Sequence, residues 1–498
     1  MISFNLVVQP WVPVLLKDGK RAILSLEEVF LRVSEVDSIE HDSPLVVVAV
    51  HRLLLAILHR VFPVRTKNAW NELWCGKRYD PQAVMQYLQQ WKTRFDLFDK
   101  DYPFYQVKSH PAAEKYQSVN KLVLYRSAGN NSVFFDHSND SELNPLLPAE
   151  AALQLLAFQC YSPGGGKGVN GTINLMDAPL KTVLSSLIIG KNLFETLVLN
   201  MIIKPLHFDG DDGIPVWEST AKLKDEAESK INGYLDYLTI LSRQVKLKPE
   251  IFNGDLMVTG VMVAQGRKAE PAVLEPFGLF RNSKKQDIIP VKVTPEKQLW
   301  RDFHSLFVFT DQSLNNYPIN IYQLITLKDD NIIPEDIEYS LYCVGLATDK
   351  AKVLTWSFTS LPLPLNLPGN QDLVNLIITA MEYAEKKSKT LYFKTLEVLK
   401  ILLSDINPQG AEKAAKALVS SLSTESLFWS RLEVPFKSFV LDVSRADDQE
   451  TVLEKWRSQV DQIGRLCWEI VENSVANSSR GFKAIAKVSS YSSSGGNQ

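Results

Sequence analysis

Leu361-Pro362-Leu363-Pro364-Leu365-Asn366-Leu367-Pro368-Gly369 divides the chain into two parts of different pattern. Its three prolines and one glycine suit neither a helix interior nor a central strand, so residues 361–370 read as a linker. Beyond it the periodicity is helical. Leu373, Leu376, Ile377, Ala380, Met381 and Ala384 form an i, i+3, i+4, i+7 stripe. The pattern predicts helices over 371–404, 410–422, 424–442 and 447–477, with a further stretch at 480–488. Long amphipathic helices joined by short loops imply a four-helix bundle over 371–488. The Ser/Gly-rich tail, 489–498, is expected to be disordered.

Before the linker, residues 1–360 mix the two periods. Met1 to Val8 reads as a strand, and a hairpin is expected around the Asp18-Gly19 turn. Helices are expected over 43–62, over 80–97 behind an Asp80-Pro81 start, and from Ala149 to Cys160. Leu180 to Met201 has helical spacing with a break near Gly190. Segments in 255–310 alternate like strands between Gly, Pro and Asn turns, and Glu338–Leu346 is expected to pair with Ala351–Phe358. The fold class is α+β: a large mixed domain of helices and antiparallel strands, then the bundle.

The 498 residues exceed what one core serves. A formal net charge of -3 excludes a globally basic nucleic-acid coat, so any polyanion site must be a local patch. The four cysteines, Cys75, Cys160, Cys343 and Cys467, are too far apart in sequence for paired zinc spacings and form no disulfide framework. Together with an N-terminus lacking the marks of a signal peptide, they lead to an expected cytoplasmic location. Pro44 to Phe62 is apolar enough to suggest a membrane span. His51, Arg52, His59 and Arg60 interrupt it, and a buried amphipathic helix with those groups on its wetter side is the better reading.

Two loops carry the candidate chemistry. Ser162-Pro163-Gly164-Gly165-Gly166-Lys167-Gly168-Val169-Asn170-Gly171-Thr172 is nearly bare backbone with a lysine, and its N–H groups can approach another molecule closely. Upstream, Phe134 and Phe135 precede Asp136 and His137 in a polar loop. The pair reads either as core anchors or as a wedge or stacking surface beside bases. Gly166 to Gly171 formally matches a dinucleotide fingerprint, but a helix precedes it where a strand is required. The Walker pattern fails because Gly168 follows Lys167. Arg267-Lys268 forms a basic turn, as does Lys284-Lys285. His41-Asp42 is an HD pair of the kind metal phosphohydrolases use, and it sustains a rival reading as a metal-dependent phosphohydrolase, although no second HD pair occurs. A purely structural scaffold is the third reading.

Several signatures, in order, resemble the CasA family, the large subunit of the type I-E CRISPR Cascade complex. FNLVVQPWVPV is similar to that family's N-terminal segment, and DYPFYQV to its Pro-Phe segment. FFDHSND is similar to its first recognition loop, and SPGGGKGVNGT to its glycine loop. The resemblance implies a subunit without catalytic activity or cofactor, assembled with a crRNA-bound Cascade backbone and small subunits. Such a subunit reads the protospacer-adjacent motif of double-stranded target DNA from the minor groove. It promotes opening and R-loop formation, and helps recruit a helicase-nuclease; it does not bind membranes. By position, the glycine loop falls on Gly164, Gly165 and Gly166 beside Lys167. The lysine finger falls on Lys268 or Arg267. The wedge turn falls on Thr348-Asp349-Lys350-Ala351, where this chain carries Lys350 in place of the family's glutamine. The aromatic of the first loop falls on Phe134 or Phe135.

Overall fold

The computed structural model describes residues 2–109, 115–128, 144–165, 175–203, 212–219, 231–268, 275–282, 288–294, 297–306, 318–334, 338–404, 406 and 408–494. It divides into two compact units: Met1–Leu299 with Phe309–Leu365, and Trp300–Val308 with Asn366–Gln498.

The first unit begins with β1 (Val12–Leu16), β2 (Arg21–Leu24), α1 (Leu26–Leu31), β3 (Val36–Ile39), α2 (Pro44–Val61), α3 (Lys67–Gly76) and α4 (Pro81–Gln90). It continues with β4 (Gln117–Ser118), α5 (Pro148–Tyr161), β5 (Ser185–Ile189), α6 (Leu193–Leu199), α7 (Tyr234–Leu238), β6 (Arg243–Phe252) and β7 (Asp255–Gln265). Next come β8 (Phe280–Asn282), β9 (Ile288–Pro290), α8 (Ile319–Asp329), β10 (Glu338–Asp349) and β11 (Lys352–Pro364). The sheets run β2-β1-β3, β11-β10-β5, β4-β7-β6 and β8-β9, with every pairing antiparallel.

Helix α2 is the core of this unit. Pro44 at its first turn forfeits no helical hydrogen bond, and the residues from Pro44 to His59 are all buried. It is long and apolar enough to cross a membrane, but it is a core helix. The expected wetter side exists only at Arg60, which is exposed and ion-paired to Glu218. The other three polar groups are buried, and each has a partner of its own, although the Arg52 Nε is left without one. His51 Nδ1–H donates to the Val47 carbonyl at 2.8 Å. Arg52 pairs with buried Glu275 at 2.6 Å, and Tyr237 donates its hydroxyl to the same carboxylate at 2.8 Å. His59 Nε2 accepts the Ile202 N–H at 3.2 Å. Burial holds both imidazoles at a pKa of about 4, hence neutral.

Four local expectations are corrected. The N-terminal segment is no strand: Asn5 makes an isolated bridge to Asp96 and a turn follows. Leu180–Met201 is β5 followed by α6, with Asn192 capping the helix at the Glu195 N–H. The supposed linker is half strand, because β11 continues to Pro364, opposite Glu338. Proline is tolerated there because β11 is an edge strand, so a missing N–H breaks no ladder on the outer side. Its leucines, Leu361, Leu363, Leu365 and Leu367, are all buried. The tail expected to be disordered from residue 489 is helical through Ser494.

The second unit contains α9 (Gln371–Ser404), α10 (Ala411–Leu422), α11 (Thr424–Arg445), α12 (Gln449–Val475) and α13 (Ser479–Ser494). The buried stripe of α9 includes Leu373, Ile377, Ala380, Met381 and Ala384. Phe428, Trp429, Leu432 and Phe436 of α11 and Leu453, Trp456 and Val460 of α12 are buried as well. Residues Leu299–Leu306 form a 3-10 helix rather than a strand. Trp300 is fully buried there, 4.8 Å from the Phe436 ring and 5.7 Å from the Trp429 ring. Arg301 adds an ion pair to Glu385 at 2.6 Å.

Candidate nucleic-acid interface

Helix α5 delivers the glycine loop. The chain leaves the helix at Ser162, whose N–H donates to the Phe158 carbonyl at 3.1 Å, and it returns at Leu175. A short stem closes the two limbs. Gly165 N–H donates to Leu175 O at 2.7 Å, Ala178 N–H to Ser162 O at 3.0 Å, and Gly164 N–H to Asp177 Oδ1 at 2.6 Å. Both glycines are required by geometry. A Cβ on Gly164 would lie 2.7 Å from the Asp177 nitrogen and 2.8 Å from the Leu175 oxygen. Gly165 has φ +106°, and a Cβ there would lie 2.9 Å from the Cβ of Ala351.

That second contact brings in the β10–β11 hairpin. Its tip is Lys350-Ala351, with Lys350 in the left-handed region at φ +54° and both Asp349 and Lys350 exposed. The wedge turn assigned by position therefore lies against the glycine loop.

Beneath the loop sits Arg243, the first residue of β6, fully buried. Its Nη2 donates to three carbonyls: Ser162 at 3.2 Å, Pro163 at 3.1 Å and Met176 at 2.5 Å. Nη1 donates to Ser242 O at 2.9 Å. Burial lowers its pKa to about 10, against an opposing pull from Asp177, so it stays charged at neutral pH. Opposite it in the β6–β7 ladder is Gln265, whose Oε1 accepts the Met176 N–H at 2.7 Å. The chain then passes Gly266, where a Cβ would lie 2.1 Å from the Leu241 carbonyl oxygen, and reaches the basic turn.

The two basic residues part company there. Arg267 is buried and forms a two-pronged ion pair with Asp236, Nη2 to Oδ2 at 2.8 Å. The expectation that it offers a free charge at the tip is corrected, because its guanidinium points inward. Lys268 is exposed. The structure sets Gly164 and Gly165 beside the hairpin tip that follows exposed Asp349 and Lys350, and it ties the glycine stem to Gln265, three residues before exposed Lys268. Phe134, Phe135, Asp136, His137, Gly166, Lys167 and the Lys284-Lys285 turn lie outside the described residues. Arg243 and Gln265, which tie the glycine stem to the β6–β7 pair, were missed by sequence reasoning, and Ala351 was named only as part of the wedge turn. The signal for Arg243 was an arginine on the apolar register of Val245 and Leu247.

The HD pair is not arranged as a metal site. His41 Nδ1 accepts the Ser43 N–H at 2.9 Å, Nε2 lies 3.4 Å from Glu150, and Asp42 is exposed. Among the described residues no group of three or more His, Cys, Asp or Glu side chains could hold a metal ion. Burial pushes the thiols of Cys160 and Cys343 up to about 11 and about 12, which keeps both protonated at neutral pH. The edge is chemically a set of exposed amines and close-approach backbone, suited to an anionic or acceptor-rich partner.

A profile of the CRISPR-associated protein Cse1 family matches residues 5–467. The CRISPR-associated protein CasA/Cse1 of Thermus thermophilus is 29% identical over 97% of this chain and 95% of its own length. A crystal structure of CasA from Thermus thermophilus superposes with a TM-score of 0.82 at 26% identity, covering 98% of both chains. A chain from a structure of a CRISPR RNA-guided surveillance complex shares the fold with a TM-score of 0.76 at 23% identity, covering 99% of both chains.

Proposed function

The chain belongs to the Cse1 (CasA) family of CRISPR-associated proteins, and from that premise we propose that it is the non-catalytic, motif-reading large subunit of a crRNA-guided surveillance complex. In this reading it is cytoplasmic and assembles with the crRNA-bound backbone and small subunits. It engages the protospacer-adjacent motif of double-stranded DNA from the minor groove, starts duplex opening, and helps recruit a helicase-nuclease.

The observation that supports it is the packing of the glycine stem. Gly165 lies too close to Ala351 to carry a Cβ, and the stem is tied through Arg243 and Gln265 to the β6–β7 pair, whose chain reaches exposed Lys268 three residues beyond the end of β7. The minor groove offers acceptors at every base pair and separates mainly A·T from G·C, so a lysine and bare backbone read it loosely. Tight sequence specificity is then left to guide pairing. A cation at Lys350 adds phosphate attraction to wedging, and one base-pair step costs about 1.4 kcal/mol of stacking.

The test uses the assembled complex and a guide-matched duplex, titrated over a range of salt. Lys268→Ala is expected to weaken capture and to flatten the slope of log K against log salt by roughly 0.9 if it loses one phosphate contact. Lys350→Ala is expected to reduce permanganate reactivity beside the motif more than it reduces capture. Wild-type capture and wild-type reactivity in both variants would remove the edge from DNA reading.

A further inference from the structure

We infer that Arg243 is the positioning residue of the reading edge: its buried guanidinium locks the glycine stem to the open end of the β6–β7 pair, from which the chain runs on to Lys268, so that backbone and cation meet the duplex as one rigid unit. The inference rests on the reading proposed above and names what holds that site in shape.

Three observations carry it. First, Arg243 is fixed from behind. Its N–H donates to Gln159 Oε1 at 2.9 Å, and its carbonyl accepts Gln159 Nε2 at 2.9 Å, so buried Gln159 of α5 clamps both backbone groups. Second, its Nη2 gathers carbonyls from both limbs of the loop, Ser162 and Pro163 on one and Met176 on the other. Three carbonyl dipoles converging on one point repel one another unless a cation sits among them. Third, no carboxylate oxygen among the described residues touches the guanidinium. Asp177, the nearby acid, is engaged by the Gly164 N–H at 2.6 Å and by Lys181 Nζ at 3.2 Å. The positive charge behind the loop is therefore balanced by carbonyl dipoles rather than cancelled by an ion pair.

Lysine cannot replace it. An ammonium is a point donor and cannot serve Ser242 on one prong and the loop carbonyls on the other. Gln265 completes the link on the facing strand by accepting the Met176 N–H, so the same residue, Met176, is gripped through its N–H and its carbonyl from both strands of the hairpin.

The experiment compares Arg243→Lys, Lys268→Ala and the double variant. One arm follows hydrogen exchange of the free full-length chain over 162–165 and 175–178. The other measures duplex capture by the assembled complex. Arg243→Lys is expected to raise exchange of the Gly165 amide about tenfold and to weaken capture about tenfold, the size expected for loss of a charge-assisted bond. The double variant should lose less than the product of the single losses, because both residues act through the same edge. Unchanged exchange in Arg243→Lys overturns the inference. Raised exchange with normal capture, while Lys268→Ala still binds poorly, also overturns it but leaves the motif-reading function standing. Normal capture in both single variants overturns that function and the inference with it. Should Arg243→Lys fail to fold, Arg243→Gln, which keeps a planar donor but lacks the second prong and the charge, carries the same expectations and the same refutations.

Discussion

Replacing Gly165 by alanine places one methyl group where the structure leaves no room for it. Two costs arise. At φ +106° an L-residue lies outside its ordinary left-handed basin, a strain of about 1–3 kcal/mol. The new Cβ would also stand 2.9 Å from the Ala351 Cβ. That is well inside the carbon–carbon optimum of about 3.5–4.0 Å, and such overpacking costs about 1–3 kcal/mol. A penalty of about 2–6 kcal/mol against the closed loop corresponds to a roughly 30- to 20,000-fold loss of its population. The loop can relieve this by opening its own stem, so the melting midpoint of the chain should fall by only a few degrees while duplex capture falls steeply. The assay is a cycle of Gly165→Ala, Ala351→Gly and both together, with capture by the assembled complex and melting of the isolated chain read side by side. Ala351→Gly should restore the contact share of the loss and leave the dihedral share. Wild-type capture by Gly165→Ala would refute the packed loop–hairpin contact. Full restoration in the double variant would refute the dihedral argument.

Neighbouring residues of the basic turn should behave oppositely. Arg267→Ala strands buried Asp236 and should cost about 3–5 kcal/mol in denaturant titration, whereas Lys268→Ala should stay within about 0.5 kcal/mol of wild type. Equal effects would contradict the inward placement of Arg267. Acid should weaken the fold through His51 and His59. Above about pH 6.5 neither state binds their protons; between about 6.5 and 4 the unfolded chain protonates them and the native chain does not, so stability falls with pH by about 1.4 kcal/mol per unit for each histidine. Unfolding free energies at pH 7, 6 and 5 should show His51→Asn losing one histidine's share of that slope, and parallel curves would count against the buried neutral imidazole. Trp300→Ala should destabilise the helical unit by about 3–5 kcal/mol in calorimetry, since Trp300 is enclosed by Trp429 and Phe436. An unshifted transition would place the 299–306 segment outside that core.

Where a period or a turn residue acts locally, the sequence was readable. The helices of α9 to α12 follow from their apolar stripes. The alternation of β7 was legible, but its pairing with β6 through Asn253-Gly254, both at positive φ, was not read. Pro362 and Pro364 misled because a proline's meaning depends on whether its strand lies at an edge, which only the sheet order β11-β10-β5 reveals. Trp300 sits in a segment too short to show a period, and its partners are remote in sequence. The candidate site divides the same way. Gly164 and Gly165 announce bare backbone, and Lys268 an exposed amine. Nothing local tells Arg267 from Lys268, or shows that Ala351 closes on Gly165, because Asp236 and the hairpin reach these positions only through tertiary packing.

The central claim is that the glycine loop and Lys268 present one edge to a duplex. It is tested most directly by photo-crosslinking from a reactive side chain placed at position 268 in the assembled complex. The duplexes are guide-matched and either carry or lack the adjacent motif. The account predicts crosslinks to the motif base pairs, reduced when the motif is scrambled. Crosslinks to protein alone, or to DNA with no regard to the motif, would contradict it.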